Sequence, residues 1–353
     1  MSSYERFPNE KFDAQKQSAG SNRAYHASMS NDSQLGYDSH SSYVHHSFEE
    51  LQHEHNSESI SKCTSEFVIQ HFTVPKDELP LDIDKDDIHN ELQCTEYVDS
   101  IYSYLRVLEA SNRPVPNYIL KQQFINVRHR DMSVDYIVQL HRHISIIFEY
   151  SLELETLFLS VSLVDRFLSR RMVSQEKIRL VAVTCFYIAC KFEEKYYPTI
   201  DELLRFVPSA GSKEDVCLME RTILNELKYL LGIPTSVTFL KRFIKAAFAD
   251  TVLGMTARFI SEFCLMSISL CTNYLPSVVA AATVANSLRV VGKAPWTATL
   301  EKVTGYTYEQ IRPCMVEMRE HVKRAPTMKL QTIYKKYSVE KYRKAAIRVL
   351  QNI

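Results

Sequence analysis

Ile178-Arg-Leu-Val-Ala-Val-Thr-Cys-Phe-Tyr-Ile-Ala-Cys-Lys-Phe-Glu-Glu194 is the stretch from which the fold can be read. Ile178, Val181, Ala182, Cys185, Ile188, Ala189 and Phe192 recur at the i, i+3, i+4, i+7 spacing of one helix face. The run ends on a cation, Lys191, and two carboxylates, Glu193 and Glu194. About thirty residues later Glu220 stands among Val216, Ile223, Leu224 and Leu227, on the apolar face of another expected helix. A carboxylate in such surroundings is costly unless paired, and Lys191 is the partner the sequence offers. A charge pair left at the edge of a helical core points to a docking surface.

On either side of this run the apolar residues keep a helical period. Helices are expected over about 91–110, 130–148, 154–168 and 175–192. In the first, Tyr97, Ile101, Tyr104, Leu105 and Leu108 share one side, and a loop holding Pro114 and Pro116 follows. Pro198 precedes Thr199-Ile-Asp-Glu202, a capping-box pattern that opens a short helix ending near Pro208. Ser212-Lys-Glu-Asp215 opens the helix carrying Glu220, where acidic residues suit the positive end of the dipole.

After Gly232 and Pro234 the pattern restarts, with helices expected over 235–249, 255–271, 277–291, 297–304 and 307–323. Each set has an Ala-containing apolar helix, a short Pro-marked helix, then a capped helix with Met and Glu. The caps, Ser212 and Thr307, lie 95 residues apart, far longer than a solenoid repeat. The chain therefore reads as all-α: two tandem five-helix domains, preceded by an N-terminal helix and a disordered tail. The expected divisions are an acidic Ser/His-rich tail over 1–90, the N-terminal helix and first domain over 91–232, and the second domain with a C-terminal extension over 233–353.

Composition agrees with that division. Only 7 of 353 residues are glycine, and no apolar run approaches a membrane span. Eight cysteines lie scattered without a CxxC pair, several on apolar faces, so they read as reduced core residues of an intracellular protein. Six histidines between His26 and His55 are irregularly spaced and lack accompanying cysteines, so no metal site is expected. The net charge of zero hides an asymmetry: residues 1–96 carry 7 basic against 18 acidic side chains, and residues 97–353 carry 35 against 24. A basic body with an acidic tail suits a negatively charged partner, contact between tail and body, or simple solubility.

These residues match a family. From about Tyr97 to Lys344 the chain resembles the A/B-type mitotic cyclins, most of all the B type. The first-box helices are matched by Val134-Asp-Tyr-Ile-Val-Gln-Leu-His141, Leu163-Val-Asp-Arg-Phe-Leu168, Ala189-Cys-Lys-Phe-Glu-Glu194 and Met219-Glu220. The second half is similar at Pro234-Thr235, Tyr274-Leu-Pro-Ser-Val278, Gly305-Tyr-Thr307 and Lys335-Lys-Tyr337. The resemblance implies two cyclin boxes in a regulatory subunit, not itself an enzyme, that activates a cyclin-dependent serine/threonine kinase during mitotic or meiotic progression. Carried over position by position, Lys191 and Glu220 would grip the kinase's C-helix region. Ile188, Phe192, Leu224, Tyr229 and Leu231 would cage that helix, and Tyr97, Ile101 and Tyr104 would be the N-terminal helix's contact stripe. Arg130 and Asp165 would form an internal salt bridge. No cofactor, nucleic acid or membrane partner is implied; the location would be nucleus and cytoplasm.

The chain also departs from the family. Mitotic cyclins carry Met-Arg-Ala-Ile-Leu and then a Trp, which line a patch for basic-leucine substrate or inhibitor motifs. Here the positions read His129-Arg130-Asp131-Met132-Ser133 with Tyr136 for the Trp, and Gln139 on the same helix. Two apolar anchors are lost and a carboxylate gained, so docking through this patch is expected to be weakened or altered. About six extra residues between His141 and Glu155 suggest a longer first helix. The N-terminal region has no Arg-x-x-Leu or Lys-Glu-Asn degradation motif and no basic import cluster. Two rivals remain: a cyclin-shaped scaffold that activates nothing, and a transcription factor of cyclin-like folds, against which the missing zinc ribbon counts. No phosphate loop, nucleophile arrangement or metal motif supports intrinsic catalysis.

Overall fold

In the opening stretch every residue from Val181 to Cys190 is buried, so the helix it forms is enclosed on all sides and not laid on a surface. The structure, a computed structural model, describes residues 79–147 and 152–353. Residues 1–78 of the expected tail lie outside the described residues.

Fourteen α-helices order the described residues, and no strand occurs among them. The first set is α1 (Val98–Ala110), α2 (Val127–Ile147), α3 (Leu154–Leu168), α4 (Ile178–Glu193), α5 (Ile200–Phe206) and α6 (Lys213–Glu226). The second is α7 (Ser236–Ala246), α8 (Thr251–Cys264), α9 (Ile268–Thr272), α10 (Pro276–Val290), α11 (Ala298–Thr304) and α12 (Tyr308–Lys323). Helices α13 (Thr332–Tyr337) and α14 (Ala345–Asn352) close the chain. In the first set α4 is central and packs on α2, α3 and α6; in the second, α10 packs on α7, α8 and α12. Four buried alanines, Ala280, Ala281, Ala282 and Ala285, let neighbours approach α10 closely.

The helix starts are written in local chemistry. Thr199 with Glu202, Ser212 with Asp215 and Thr307 with Gln310 each form a reciprocal capping box. Gly305 ends α11 in the left-handed conformation at φ 68°, where a side chain would be strained.

Three expectations change. The helix expected from residue 91 begins at Val98, because Cys94 is left-handed (φ 47°) and breaks the preceding segment into short 3-10 turns. The helix expected over 255–271 is two: α8 stops at Cys264, and the Ser267 side chain caps α9 by accepting from Leu270 N–H. Residues 79–90, assigned to the tail by composition, lie against the second set. Leu81 N–H donates to Thr299 Oγ1 at 2.9 Å, Ile83 is buried, and Arg242 and Lys245 clasp the Asp84 carboxylate. The hydrogen bond from Arg242 holds that carboxyl down at about 2.

Both sets are tied together by polar anchors. Helix α1 turns Val98, Tyr102, Leu105 and Glu109 inward. Glu109 accepts from Ser277 N–H (2.8 Å) and Oγ (2.6 Å) at the N-terminus of α10, where a carboxylate is favoured. Arg106 reaches Tyr306 and the Thr304 carbonyl. The extension packs α13 on α2 and α8. There Lys336 and Tyr337 both donate to the fully buried Glu262.

Candidate functional site

The last turn of α4 and the middle of α6 lie side by side, which sets Lys191 against Glu220. Lys191 Nζ contacts Glu220 Oε1 as an ion pair, with the side chains 33% and 15% exposed. Nζ also stands 4.7 Å from the centroid of the Tyr187 ring, one helical turn earlier, so the cation is held by a carboxylate and a π face. The Lys191 side chain is thus a third exposed, while the Glu220 oxygen it meets is buried.

Around this centre the surface is apolar. Phe192 is 50% exposed, and a Cβ on Gly232 would sit 3.4 Å from its Cζ. Tyr229 is 63% exposed. Leu224 and Leu231 are half-buried against the core. Ile188 is buried, so it backs this surface from beneath and presents almost nothing to a partner. The turn after α6 has an unusual backbone: Lys228 (φ 53°) and Tyr229 (φ 58°) are consecutive left-handed residues. Each such non-glycine residue costs about 1 kcal/mol. Leu227 N–H to Ile223 carbonyl, Lys228 N–H to Asn225 carbonyl and Tyr229 N–H to Leu224 carbonyl hold the turn. Buried Arg166 fixes its far side by donating to the Leu230 carbonyl. The Tyr229 ring on this turn stands largely in solvent.

Tyr97, Ile101 and Tyr104 all lie on the outer side of the α1 segment, exposed by 59%, 41% and 62%. Tyr97 precedes the helix proper as its N-cap. This is a second exposed apolar stripe, opposite the face by which α1 is anchored.

Arg130 and Asp165 have a different environment. They are fully buried, with Arg130 Nε at 3.0 Å and Nη2 at 2.7 Å from the two carboxylate oxygens. Tyr118 donates to the same carboxylate at 2.8 Å, and Arg130 Nη1 reaches the Leu265 carbonyl in the second set. Nothing in this constellation faces solvent.

Of the altered patch, Met132 is exposed, and His129, Tyr136 and Gln139 are half-buried. Ser133 is buried, its hydroxyl turned back to the His129 carbonyl at 2.9 Å, so it adds no surface. Gln139 is engaged by Asp135 (2.7 Å). Asp131 lies 3.6 Å from Arg130, and burial pushes its carboxyl up to about 6 although that cation opposes the shift.

Two roles escaped the sequence reading. Tyr187, the π platform beneath Lys191, was legible as its i, i+4 neighbour. Glu194, read as part of the charged end of α4, instead accepts from Glu153 N–H (2.8 Å) and the Thr156 hydroxyl at the start of α3. That role depends on tertiary proximity and leaves no local signal.

Among the described residues no cluster of His, Cys, Asp and Glu could hold a metal, and no helix is long and apolar enough to cross a membrane.

Two helical sets repeating one plan, each built around an enclosed apolar helix, define a tandem all-α architecture with a polar-centred apolar surface. Residues 100–232 match the family described as Cyclin, N-terminal domain, and residues 234–350 match Cyclin, C-terminal domain. The chain belongs to the cyclin family. It is 36% identical over 265 residues to the G2/mitotic-specific cyclin S13-6 of Glycine max, covering 75% of this chain and 56% of that one. It is 37% identical over 268 residues to Cyclin-B2-2 of Oryza sativa subsp. indica, covering 75% and 62%. The chain thus spans less than two thirds of the length of these relatives. A solved viral cyclin from herpesvirus saimiri shares the fold, with a TM-score of 0.56, 17% identity, and coverage of 66% of this chain and 98% of that one.

Proposed function

We propose that this cyclin is a regulatory subunit that binds and activates a cyclin-dependent protein kinase in the mitotic or meiotic cell cycle, acting in nucleus and cytoplasm. One observation carries the reading: a partly exposed Lys191–Glu220 pair in an apolar surface whose outer edge, Tyr229, stands on a strained turn. A purely structural pair would not need that surround. Strain of this kind persists where the surrounding structure enforces it, often at binding sites.

A protein kinase transfers phosphate only when its β3 lysine pairs with the glutamate of its C-helix. A partner that binds the helix-in conformation shifts the kinase population toward it. Lys191 can donate to carbonyls at the approach to that helix. Glu220 holds Lys191 in place and can accept from backbone N–H groups. Phe192, Leu224, Tyr229 and Leu231 bury the helix's apolar face, in the helix-in-groove mode. The Tyr97, Ile101 and Tyr104 stripe extends the contact. Truncating Lys191 or Glu220 leaves the other charge desolvated in the complex, at roughly 2–5 kcal/mol.

The test is reconstitution with candidate cyclin-dependent kinases, measuring binding and substrate phosphorylation for the wild type, Lys191→Ala and Glu220→Ala. Activation that both substitutions abolish supports the reading. A wild-type chain that binds but activates nothing would make the protein a cyclin-shaped scaffold. Substrate recruitment through the Met132 and Tyr136 patch should be weak. Binding of basic-leucine peptides at the affinity of a typical mitotic cyclin would contradict that part.

A further inference from the structure

Between the two helical sets lies a narrow cleft, part of it open to solvent. Its walls come from the end of α1, from α3, from the linker at residues 233–236, and from α8 to α10. Phe158, Val161, Leu265 and Val279 give it a buried apolar floor, and half-buried Pro114 and Ser162 stand at its rim.

Four charged side chains line it, and three are accounted for. Asp165 is taken by Arg130 and Tyr118. Glu109 is taken by Ser277 and lies 3.5 Å from Arg106. Arg113 donates to the carbonyls of Thr272 (3.0 Å) and Tyr274 (3.1 Å). The fourth, Arg166, is 1% exposed, and among the described residues no carboxylate pairs with it. Its Nη2 serves the Leu230 carbonyl, but Nε and Nη1 have no acceptor, and the buried Ser261 hydroxyl on the same cleft has no partner either. Burial, with Arg170 nearby, pulls the Arg166 guanidinium down to about 10, as expected of a cation without its counter-charge.

A buried guanidinium with idle N–H groups is costly in an apolar cavity, and an anion satisfies it with charge-assisted hydrogen bonds. From the unmatched Arg166 charge and the apolar floor we infer that this cleft is a binding site for a small organic carboxylate with an apolar body. Two carboxylates, Glu109 and Asp165, already line the cleft, so a monoanion meets less like-charge repulsion there than phosphate, and the apolar lining rewards a ring or alkyl chain. The site is also linked to the Tyr229 turn, since the guanidinium that would meet the carboxylate is the one holding the Leu230 carbonyl.

The test titrates the full chain with 4-fluorobenzoate by 19F NMR, beside the neutral isostere 4-fluorobenzyl alcohol and inorganic phosphate. Saturable binding of the carboxylate is expected, about tenfold or more tighter than that of the alcohol, because only the anion neutralises Arg166. Arg166→Met should erase that preference. Ser162→Phe, at the half-buried rim, should block the cleft while leaving the melting temperature close to wild type, and so decides the matter if the Arg166 variant fails to fold. Absence of saturable binding, equal affinity for the alcohol, or unchanged binding in Ser162→Phe would leave the cleft an ordinary hydrated crevice and overturn the proposal.

Discussion

Two ion pairs of the first helical set have opposite surroundings. Arg130–Asp165 is fully buried, bidentate, and completed by Tyr118 and the Leu265 carbonyl, so neither partner has capacity left for another molecule. Lys191–Glu220 is partly exposed, rests on an aromatic ring, and is ringed by apolar side chains that face solvent. The first fixes helices α2 and α3 to each other and to the second set. The second spends little on its own fold and is free to be completed by a partner. Burial and saturation, not the presence of opposite charges, separate a structural pair from a recognition pair.

The largest expected effect is on stability. Asp165→Ala strands a buried guanidinium and should lower unfolding free energy by about 3–5 kcal/mol. Glu220→Ala, measured by the same denaturant titration, should cost under about 1 kcal/mol, as partly exposed pairs do. Equal losses would erase the distinction. In kinase binding the order reverses: Glu220→Ala should weaken affinity by roughly 2–5 kcal/mol, read by calorimetry. A smaller effect concerns the strained turn. Tyr229→Gly relieves a left-handed side chain and should raise stability by about 1 kcal/mol while reducing kinase affinity. Lower stability in that variant would mean the ring is structural.

Two carboxylates give pH slopes of opposite sign. Asp131 is raised to about 6 in the fold from an ordinary 3.8, so its contribution is present below pH 3.8 and is lost as pH rises through about 6. Asp131→Asn should remove that loss and make stability flatter across this window. Asp84 is lowered to about 2, so its contribution is present above pH 3.8 and disappears as pH falls through about 2. Asp84→Asn should remove that acid-side slope. Slopes unchanged by these substitutions, followed by thermal melts at each pH, would contradict the assignments.

Much of this was legible in the chain. Helical period, capping boxes and the repeated order of elements follow from local spacing, so the all-α tandem plan could be anticipated from the restart after Pro234, and the Lys191–Glu220 proximity from Ile178–Glu194 and Ser212–Leu227. The left-handed Cys94 and the break after Cys264 were not, because no glycine or proline marks either one. Ser133 read as surface by its place in a motif, yet it faces the core. Glu194 read only as part of the charged end of α4, yet it satisfies the start of α3 across 38 residues of sequence. The Arg166 cleft is formed by both helical sets, and no single segment carries its signature.

On this reading Lys191 serves recognition more than folding. The most direct measurement sets two numbers on one variant, Lys191→Ala: its unfolding free energy and its affinity for an activatable cyclin-dependent kinase. Stability within about 1 kcal/mol of wild type and an affinity loss of roughly 2–5 kcal/mol are expected. A variant that loses stability but binds the kinase as tightly as wild type would contradict it.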